Sequence, residues 1–92
     1  MRYETSTYAP VWAQVLLDIS EAYHAAGQSE MALDLAGWSA EVATALIPFT
    51  MTDGEVKDLA GACYRHHGDL LAATGDFIAS QHAHAAAQQL QH

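Results

Sequence analysis

The chain has 92 residues, of which 51% are apolar, a size that supports one domain with a modest core. Its formal net charge is −8, from eleven acids against three Lys and Arg residues, which disfavours binding to nucleic-acid phosphates or to anionic membranes. A basic protein partner is compatible with this charge, and so is the alternative that the acids only keep the chain soluble.

The first predicted helix follows a polar N-terminal segment. Residues 1–8 are expected to be flexible, and a single helical-hairpin domain is predicted over residues 9–92. From about Ala9 to Ala26, apolar residues recur at the spacing of one helix face. They are Val11, Trp12, Val15, Leu16, Ile19, Tyr23 and Ala26. Pro10 would fall in the first turn, where it is tolerated, and Gly27 would end the helix in the left-handed conformation.

The second predicted helix starts with Ser29 as its N-cap and stops at Pro48, so the first hairpin spans residues 9–47. Its expected stripe combines large apolar residues with small residues alongside: Met31, Leu35, Trp38, Val42 and Leu46, with Ala32, Ala36 and Ser39. Trp12 and Trp38 are expected to pack in the core or between repeats, with ligand stacking as the alternative.

The third predicted helix starts at Asp53, because Thr52 and Glu55 form a capping box. Its apolar stripe runs unbroken through Val56, Leu59, Ala60, Cys63, Tyr64, His67, Leu70, Leu71 and Thr74. Gly68 is therefore placed inside the helix, where glycine costs up to about 1 kcal/mol and indicates close approach of another backbone. A helix that ends at Gly68 is the alternative.

The fourth predicted helix is capped by Asp76 and runs to about Gln91, which gives a second hairpin over residues 53–91. The turn sequences "YHAAGQS" and "LAATGDF" begin 48 residues apart and share a helix, Gly, cap, helix order. The sequence thus predicts an all-α fold of four helices, arranged as two tandem antiparallel helical hairpins.

Few residues carry a signal for catalysis or metal binding. Cys63 is the single cysteine and lies on an apolar stripe, which is typical of an inert packed thiol in a reducing, cytoplasmic setting. His66 and His67 are adjacent and His82 and His84 are two apart, so neither pair converges on one ion as helical ligands do. We therefore predict no cofactor, no metal and no enzymatic activity. Neither a signal peptide nor a membrane span is predicted.

The segment "LDISEAYHAAGQSEMALDLA" resembles a tetratricopeptide-like hairpin. The matching positions are Ile19, Ser20, Tyr23, Gly27 and Ala32, and in the second unit Gly68, Gly75, Phe77 and Ala87. His67, Leu71 and Ser80 depart from the pattern, and the period is longer than the usual value of about 34 residues.

This resemblance implies a non-catalytic protein–protein interaction module: a small adaptor, chaperone-like or regulatory protein that binds a protein or peptide in a helical groove. The groove positions would be Gln14, Leu17, Glu21 and His24 on helix one, with Arg65 and Asp69 on helix three. Leu17 lies off the predicted buried stripe and is expected to face outward, although single exposed leucines are ordinary.

Two further hypotheses come from charge. No Asp, Glu, Lys or Arg follows Asp76, so helix four is expected to be covered by a partner or by its copy in a homodimer; the alternative is that Gln and His suffice for solubility. The self-association residues would be His82, His84, Ala85 and Gln88. The alternative function is an acidic inhibitor or immunity-type protein that occludes a basic site on an enzyme or nucleic-acid-binding protein, with steep salt dependence and sensitivity to Asp18, Asp34 or Glu41.

Overall fold

The computed structural model describes the backbone of residues 2–47 and 54–90, and the side chains of residues 10–47 and 54–90. Within these ranges the chain forms four α-helices and no strand. The helices are α1 (Arg2–Ala25), α2 (Ser29–Ala45), α3 (Gly54–Ala73) and α4 (Phe77–Leu90). The predicted all-α architecture is confirmed.

Two glycines reverse the chain between α1 and α2 and between α3 and α4. Gly27 has a φ of 81° and Gly75 a φ of 94°, a region that glycine enters without steric cost. The N–H groups of each glycine and of the residue after it bond back to carbonyls three and five residues earlier, at 2.8–3.1 Å, which is the Schellman pattern. Both predicted hairpin turns are therefore present.

The helix starts differ from the predictions in two places. Helix α1 begins at Arg2 rather than near Ala9, so Pro10 lies inside the helix, where it has no N–H to donate to the carbonyl four residues earlier. Gln28, not Ser29, precedes α2, and no side chain caps that helix. The predicted capping box at Thr52 and the start at Asp53 lie outside the described residues. The flexibility expected for residues 1–8 stays a prediction.

The helices pack in chain order. Helix α1 packs against α2, α2 against α3 and α3 against α4, and α1 also touches α3. All four helices contribute to the main core cluster, whose buried members are Ala13, Leu17, Ala40, Ala43, Leu46, Val56, Ala60, Cys63, Tyr64 and Ala87. Since many of these side chains are small, the helix backbones approach one another closely.

Small residues form most of the buried sides of the first hairpin, together with two leucines of α1. The buried residues of α2 are Ala32, Ala36, Ser39, Ala40 and Ala43, and those of α1 are Ala13, Leu16, Leu17 and Ser20. Most of the stripe predicted on α1 is instead exposed, namely Val11, Trp12, Val15, Ile19 and Tyr23, so that prediction was largely wrong. On the second predicted helix, Met31 and Trp38 are exposed, whereas Ala32, Ala36, Ser39 and Leu46 are buried as predicted. Small side chains allow the two helices to come together, and most of the large ones lie outside their contact.

Helix α3 matches its prediction more closely. Val56, Ala60, Cys63, Tyr64 and Leu70 are buried on it, although Thr74 is exposed.

Gly68 lies inside α3 as predicted. A Cβ at Gly68 would lie 2.7 Å from the imidazole of His84, and the Ser80 hydroxyl donates to the Gly68 carbonyl at 2.8 Å. The atoms nearest to a Cβ at this position would thus belong to the His84 side chain of α4.

Candidate protein-binding surface

Large apolar side chains cover one face of the α1–α2 hairpin. We call this surface the outer face; it consists of Trp12, Val15, Ile19, Tyr23, Met31, Leu35 and Trp38. Leu35 is half-buried, and the other six side chains are 36–47% exposed. The Trp12 and Trp38 rings meet edge to face, with centroids 5.5 Å apart and planes at 82°. Since this pair bridges the two helices, their apolar residues form one surface.

On α2, the outer face lies on the side of the helix away from α3. Ala36 of α2 packs with Leu70 of α3, and Ala40 belongs to the core cluster that includes Val56 and Cys63. Trp38 is two residues from each alanine, and residues two apart on a helix point to nearly opposite sides. Since six of its seven side chains are at least 36% exposed, the described parts of α3 and α4 leave most of the outer face uncovered.

Carboxylates border the outer face on both edges. Residues 10–47 contain five acids and no Lys or Arg. On α2, Asp34 and Glu41 lie four residues before and three residues after Trp38, so they share its side of the helix. On α1, Asp18 lies three residues after Val15 and accepts a hydrogen bond from the Gln14 side-chain amide at 2.8 Å. All three acids are exposed. The surface is thus apolar in the middle and negative at its margins.

An open cleft continues the apolar surface toward α3. It has a volume of about 410 Å³ and is lined by Pro10, Val11, Gln14, Val15, Glu55, Val56 and Leu59. Because Val15 belongs to both the cleft and the outer face, an apolar ligand on the outer face can extend toward the start of α3.

The structure does not place the six residues predicted to line a binding groove on one surface. Leu17 is 6% exposed and packs in the core, so the expectation that it faces outward was wrong. It lies four residues after Ala13 and three before Ser20, on the same side of α1 as these buried residues. Gln14, Glu21 and His24 are exposed on α1.

The two predicted groove residues on α3 contact α4 or lie beside it. The Asp69 carboxylate is 3.0 Å from Nε2 of His84. Arg65 lines a cleft of about 280 Å³ with His84, Ala87 and Gln88. Arg65 and Asp69 therefore share a surface with α4.

Of the residues predicted for self-association, His82, Ala85 and Gln88 are exposed on α4. His84 is engaged with Asp69 and Gly68 in its own chain. The homodimer remains a prediction.

His66 joins three helices, a role that the sequence reasoning missed. Its Nε2 lies 2.8 Å from Oγ of Ser20, and the Ser20 hydroxyl donates to the Ala32 carbonyl at 2.6 Å. A hydroxyl has only one hydrogen to donate, so Nε2 of His66 must be the donor to Ser20. The chain of hydrogen bonds therefore runs from α3 through α1 to α2.

Burial lowers the pKa of both histidines on this side of α3. For His66, desolvation lowers the pKa most, Glu21 and Asp69 oppose the shift, and His24 adds to it. For His67, desolvation again lowers the pKa and the neighbouring His66 contributes. Glu21, His24 and Asp69 therefore surround His66 within electrostatic range, which brings together three of the residues predicted for the groove.

The described residues offer little for metal binding or nucleophilic catalysis. No three side chains of His, Cys, Asp or Glu converge on a possible ion in the described ranges. Cys63 is fully buried, as predicted for packing. Burial raises the pKa of the Cys63 thiol, while a hydrogen bond with Ser39 acts in the opposite direction. The reactive thiolate is thus disfavoured at neutral pH.

Among the described residues, no helix is both long enough and apolar enough to cross a bilayer. Comparison of the chain with protein-family models, with curated proteins and with solved structures found no match. Two structural features therefore indicate a function: the packing of the helices into hairpins, and the apolar outer face of the α1–α2 hairpin.

Proposed function

We propose that this chain is a non-catalytic protein-binding module of the adaptor, chaperone-like or regulatory kind, built from tetratricopeptide-like hairpins and acting in the cytoplasm. The main observation in support of the proposal is that the large apolar side chains of the outer face are exposed. Alanine and serine make up most of the buried side chains of α1 and α2, while both tryptophans of the chain are about half exposed on the outside. A protein-binding role accounts for large apolar side chains that folding itself does not bury.

The size and composition of the outer face support this role. A buried aromatic side chain removes about 150–250 Å² from water, so the half-exposed members of the outer face together present on the order of 500 Å². This lies near the upper end of apolar patches on soluble monomers, and patches of that size are often functional. Trp and Tyr are also enriched among the residues that dominate binding energy at interfaces.

A second candidate function is that of an acidic inhibitor or immunity-type protein, and the charge of the first hairpin favours it. Five carboxylates without a Lys or Arg in residues 10–47 would attract a basic site on another protein. The two functions differ in the source of affinity. In an adaptor the tryptophans dominate and salt has a small effect, whereas in an acidic inhibitor the carboxylates dominate and salt has a large effect.

The test is affinity purification from the cells that produce the chain, followed by reconstitution of each complex from purified components. The bait is the unaltered chain, a Trp12→Gln/Trp38→Gln variant, or an Ile78→Gln variant. Ile78 is 73% exposed on α4 and serves as the matched control for loss of an exposed apolar side chain.

We expect a stoichiometric partner that the unaltered chain and the Ile78→Gln variant bind equally and the double Trp variant binds weakly. Equal binding by the double Trp variant would contradict the proposal. If Asp18→Asn/Asp34→Asn/Glu41→Gln abolishes binding while the double Trp variant retains it, the acidic inhibitor is the better description.

A further inference from the structure

We propose that the occupant of the outer face is an amphipathic helix of about three turns that carries basic residues on both sides of its apolar stripe. This inference rests on the proposed protein-binding function and specifies the chemistry of the partner.

The length of the outer face matches a helix of about three turns. Its α1 residues run from Trp12 to Tyr23, which is about 17 Å at a rise of ~1.5 Å per residue. Leu16 is buried and Leu35 is half-buried; both lie at the side of the face where α1 meets α2. The line of contact between two packed helices leaves a furrow, and a third helix can fill it with apolar residues at i, i+3, i+4 and i+7.

The paired tryptophans mark one end of this furrow. Their edge-to-face contact holds two large ring surfaces in place before any partner arrives, so little side-chain freedom is lost on binding. Tyr23 and Met31 lie at the opposite end, close to the turn at Gly27. A three-turn helix spans the distance between these two groups.

The margins of the outer face select the charge of the partner. Asp18 borders it along α1, and Asp34 and Glu41 border it along α2. A helix lying in the furrow places its flanking side chains over both margins, where Lys or Arg would meet carboxylates. Flanking Asp or Glu would instead be repelled.

The same charges argue against a second copy as the occupant. An isologous dimer through the outer face would bring together two hairpins that each carry five carboxylates and no Lys or Arg in residues 10–47. Each chain also has a formal net charge of −8, which adds repulsion between the copies. The surface is therefore better suited to a partner of opposite charge.

Three synthetic peptides of about 14 residues, long enough for three turns or more, test the inference. The first has Leu on one helical face and Lys on both flanks. The second replaces each Lys with Glu. The third has the composition of the first in a shuffled order without helical periodicity. None contains Trp, so the fluorescence of Trp12 and Trp38, the only two tryptophans in the chain, reports directly on the outer face.

We expect saturable one-to-one binding of the Leu–Lys peptide with a blue shift of the Trp emission, at least about tenfold tighter than for the Glu or shuffled peptide. Met31→Gln should weaken that binding by about tenfold, whereas Ile78→Gln should leave it unchanged. Circular dichroism verifies that each variant is folded, and calorimetry verifies the affinities without relying on Trp.

Equal affinity for the shuffled peptide would overturn the inference, because it would reflect charge alone. Absence of binding, or equal binding of the Glu peptide, would overturn the partner chemistry but not the protein-binding function, which the double Trp variant tests with the purified partner. Dimerisation that blue-shifts the Trp emission of the peptide-free chain would identify a second copy as the occupant and would also overturn the inference.

Discussion

Ser20 on α1 and Ser80 on α4 make the same cross-helix hydrogen bond in opposite directions. Ser20 donates to the carbonyl of Ala32 at 2.6 Å, and Ser80 donates to the carbonyl of Gly68 at 2.8 Å. Ser20 and Gly68 are 48 positions apart, as are Ala32 and Ser80. The two hairpins therefore cross at equivalent positions, with the hydroxyl on the first helix in one hairpin and on the second helix in the other.

Ser20→Ala should destabilise the protein more than Ser80→Ala. The Ser20 hydroxyl accepts from Nε2 of His66 as well as donating to Ala32, so its loss leaves a half-buried donor without an acceptor. Such a loss costs about 1–3 kcal/mol, whereas Ser80→Ala removes a bond to Gly68 worth about 1 kcal/mol. Urea denaturation of the two variants compares them directly. Equal free energies of unfolding would show that His66 finds another acceptor.

Gly68→Ala should destabilise the protein, although alanine favours helix by about 1 kcal/mol over glycine. The new methyl would lie 2.7 Å from the His84 ring and would displace it from Asp69. Gly37→Ala is the matched control, since its methyl would meet its nearest neighbour, Nε2 of His67, at an ordinary 3.6 Å. We expect that variant to be stabilised.

The His84→Ala background tests the cause of the Gly68 effect. Once the ring is removed, Gly68→Ala should become stabilising. Thermal unfolding of the single and double variants measures this change of sign, and a Gly68→Ala penalty that persists without the ring would refute the proposed clash.

Stability should decline as the solution is acidified from about pH 7.5 to pH 5.5. The pKa values of His66 and His67 are lowered from 6.5 in the folded chain, so below about pH 6.5 the unfolded chain binds more protons. The stabilisation is therefore fully present above the unfolded pKa and is lost as the pH falls through it toward the folded values. Glu21 and Asp69 oppose the shift at His66, which limits its size.

A His66→Gln/His67→Gln variant should flatten this pH profile, while His82→Gln, at an exposed position on α4, should leave its slope unchanged. Denaturant midpoints of the three proteins, measured from about pH 7.5 to pH 5.5, test whether the two histidines cause the pH dependence of stability. An unaltered slope in the double variant would assign the pH dependence to other groups.

Trp12 and Trp38 should show a favourable coupling energy. Aromatic pairs in edge-to-face geometry contribute about 0.5–1.5 kcal/mol beyond their burial, and this pair bridges two helices. A double-mutant cycle with Trp12→Ala, Trp38→Ala and the combined variant isolates the pairwise contribution to unfolding free energy. Strict additivity of the two single substitutions would mean that the ring contact adds no stability.

Cys63 should resist alkylation in the folded chain. Its side chain is fully buried, and burial raises the pKa of its thiol, so both access and thiolate concentration are low. Iodoacetamide labelling followed by mass spectrometry should be slow in buffer and fast in denaturant. Rapid labelling of the folded protein would indicate frequent opening of the core around α3.

Local signals in the sequence were sufficient to predict the turns and most of α3. Gly27 and Gly75 act through their own backbone conformation, and the apolar stripe of α3 is read from residues three and four apart. The His66 junction could not be found in this way, because Ser20 is 46 residues from it and only the packing of α1 on α3 brings them together.

The buried side of α1 was assigned incorrectly for a specific reason, which also explains the exposure of Met31 and Trp38 on α2. Along the first hairpin, most large apolar residues are followed directly by a residue that proves to be buried. The pairs are Trp12–Ala13, Leu16–Leu17, Ile19–Ser20, Met31–Ala32, Leu35–Ala36, Trp38–Ser39 and Val42–Ala43. The first residues of these pairs form one series and the second residues another. Each series has the helical period, and the two lie about 100° apart around the helix. Hydrophobicity favours the first residue of each pair, whereas the packing of the helices buries the second, which is Ala or Ser in every pair except Leu16–Leu17. Leu17 was expected to face outward because it belongs to the second series.

In the first hairpin, the residues that set the packing of the helices and the residues that face outward form two largely separate sets. Small buried side chains determine how closely α1 and α2 approach, so enlarging one of them would push the helices apart. Apart from the contact between the two tryptophans, the outward residues lie outside this packing. A library that varies the outward positions of α1 and α2 and keeps the Trp12–Trp38 pair should therefore redirect binding while the packing of the hairpin is retained.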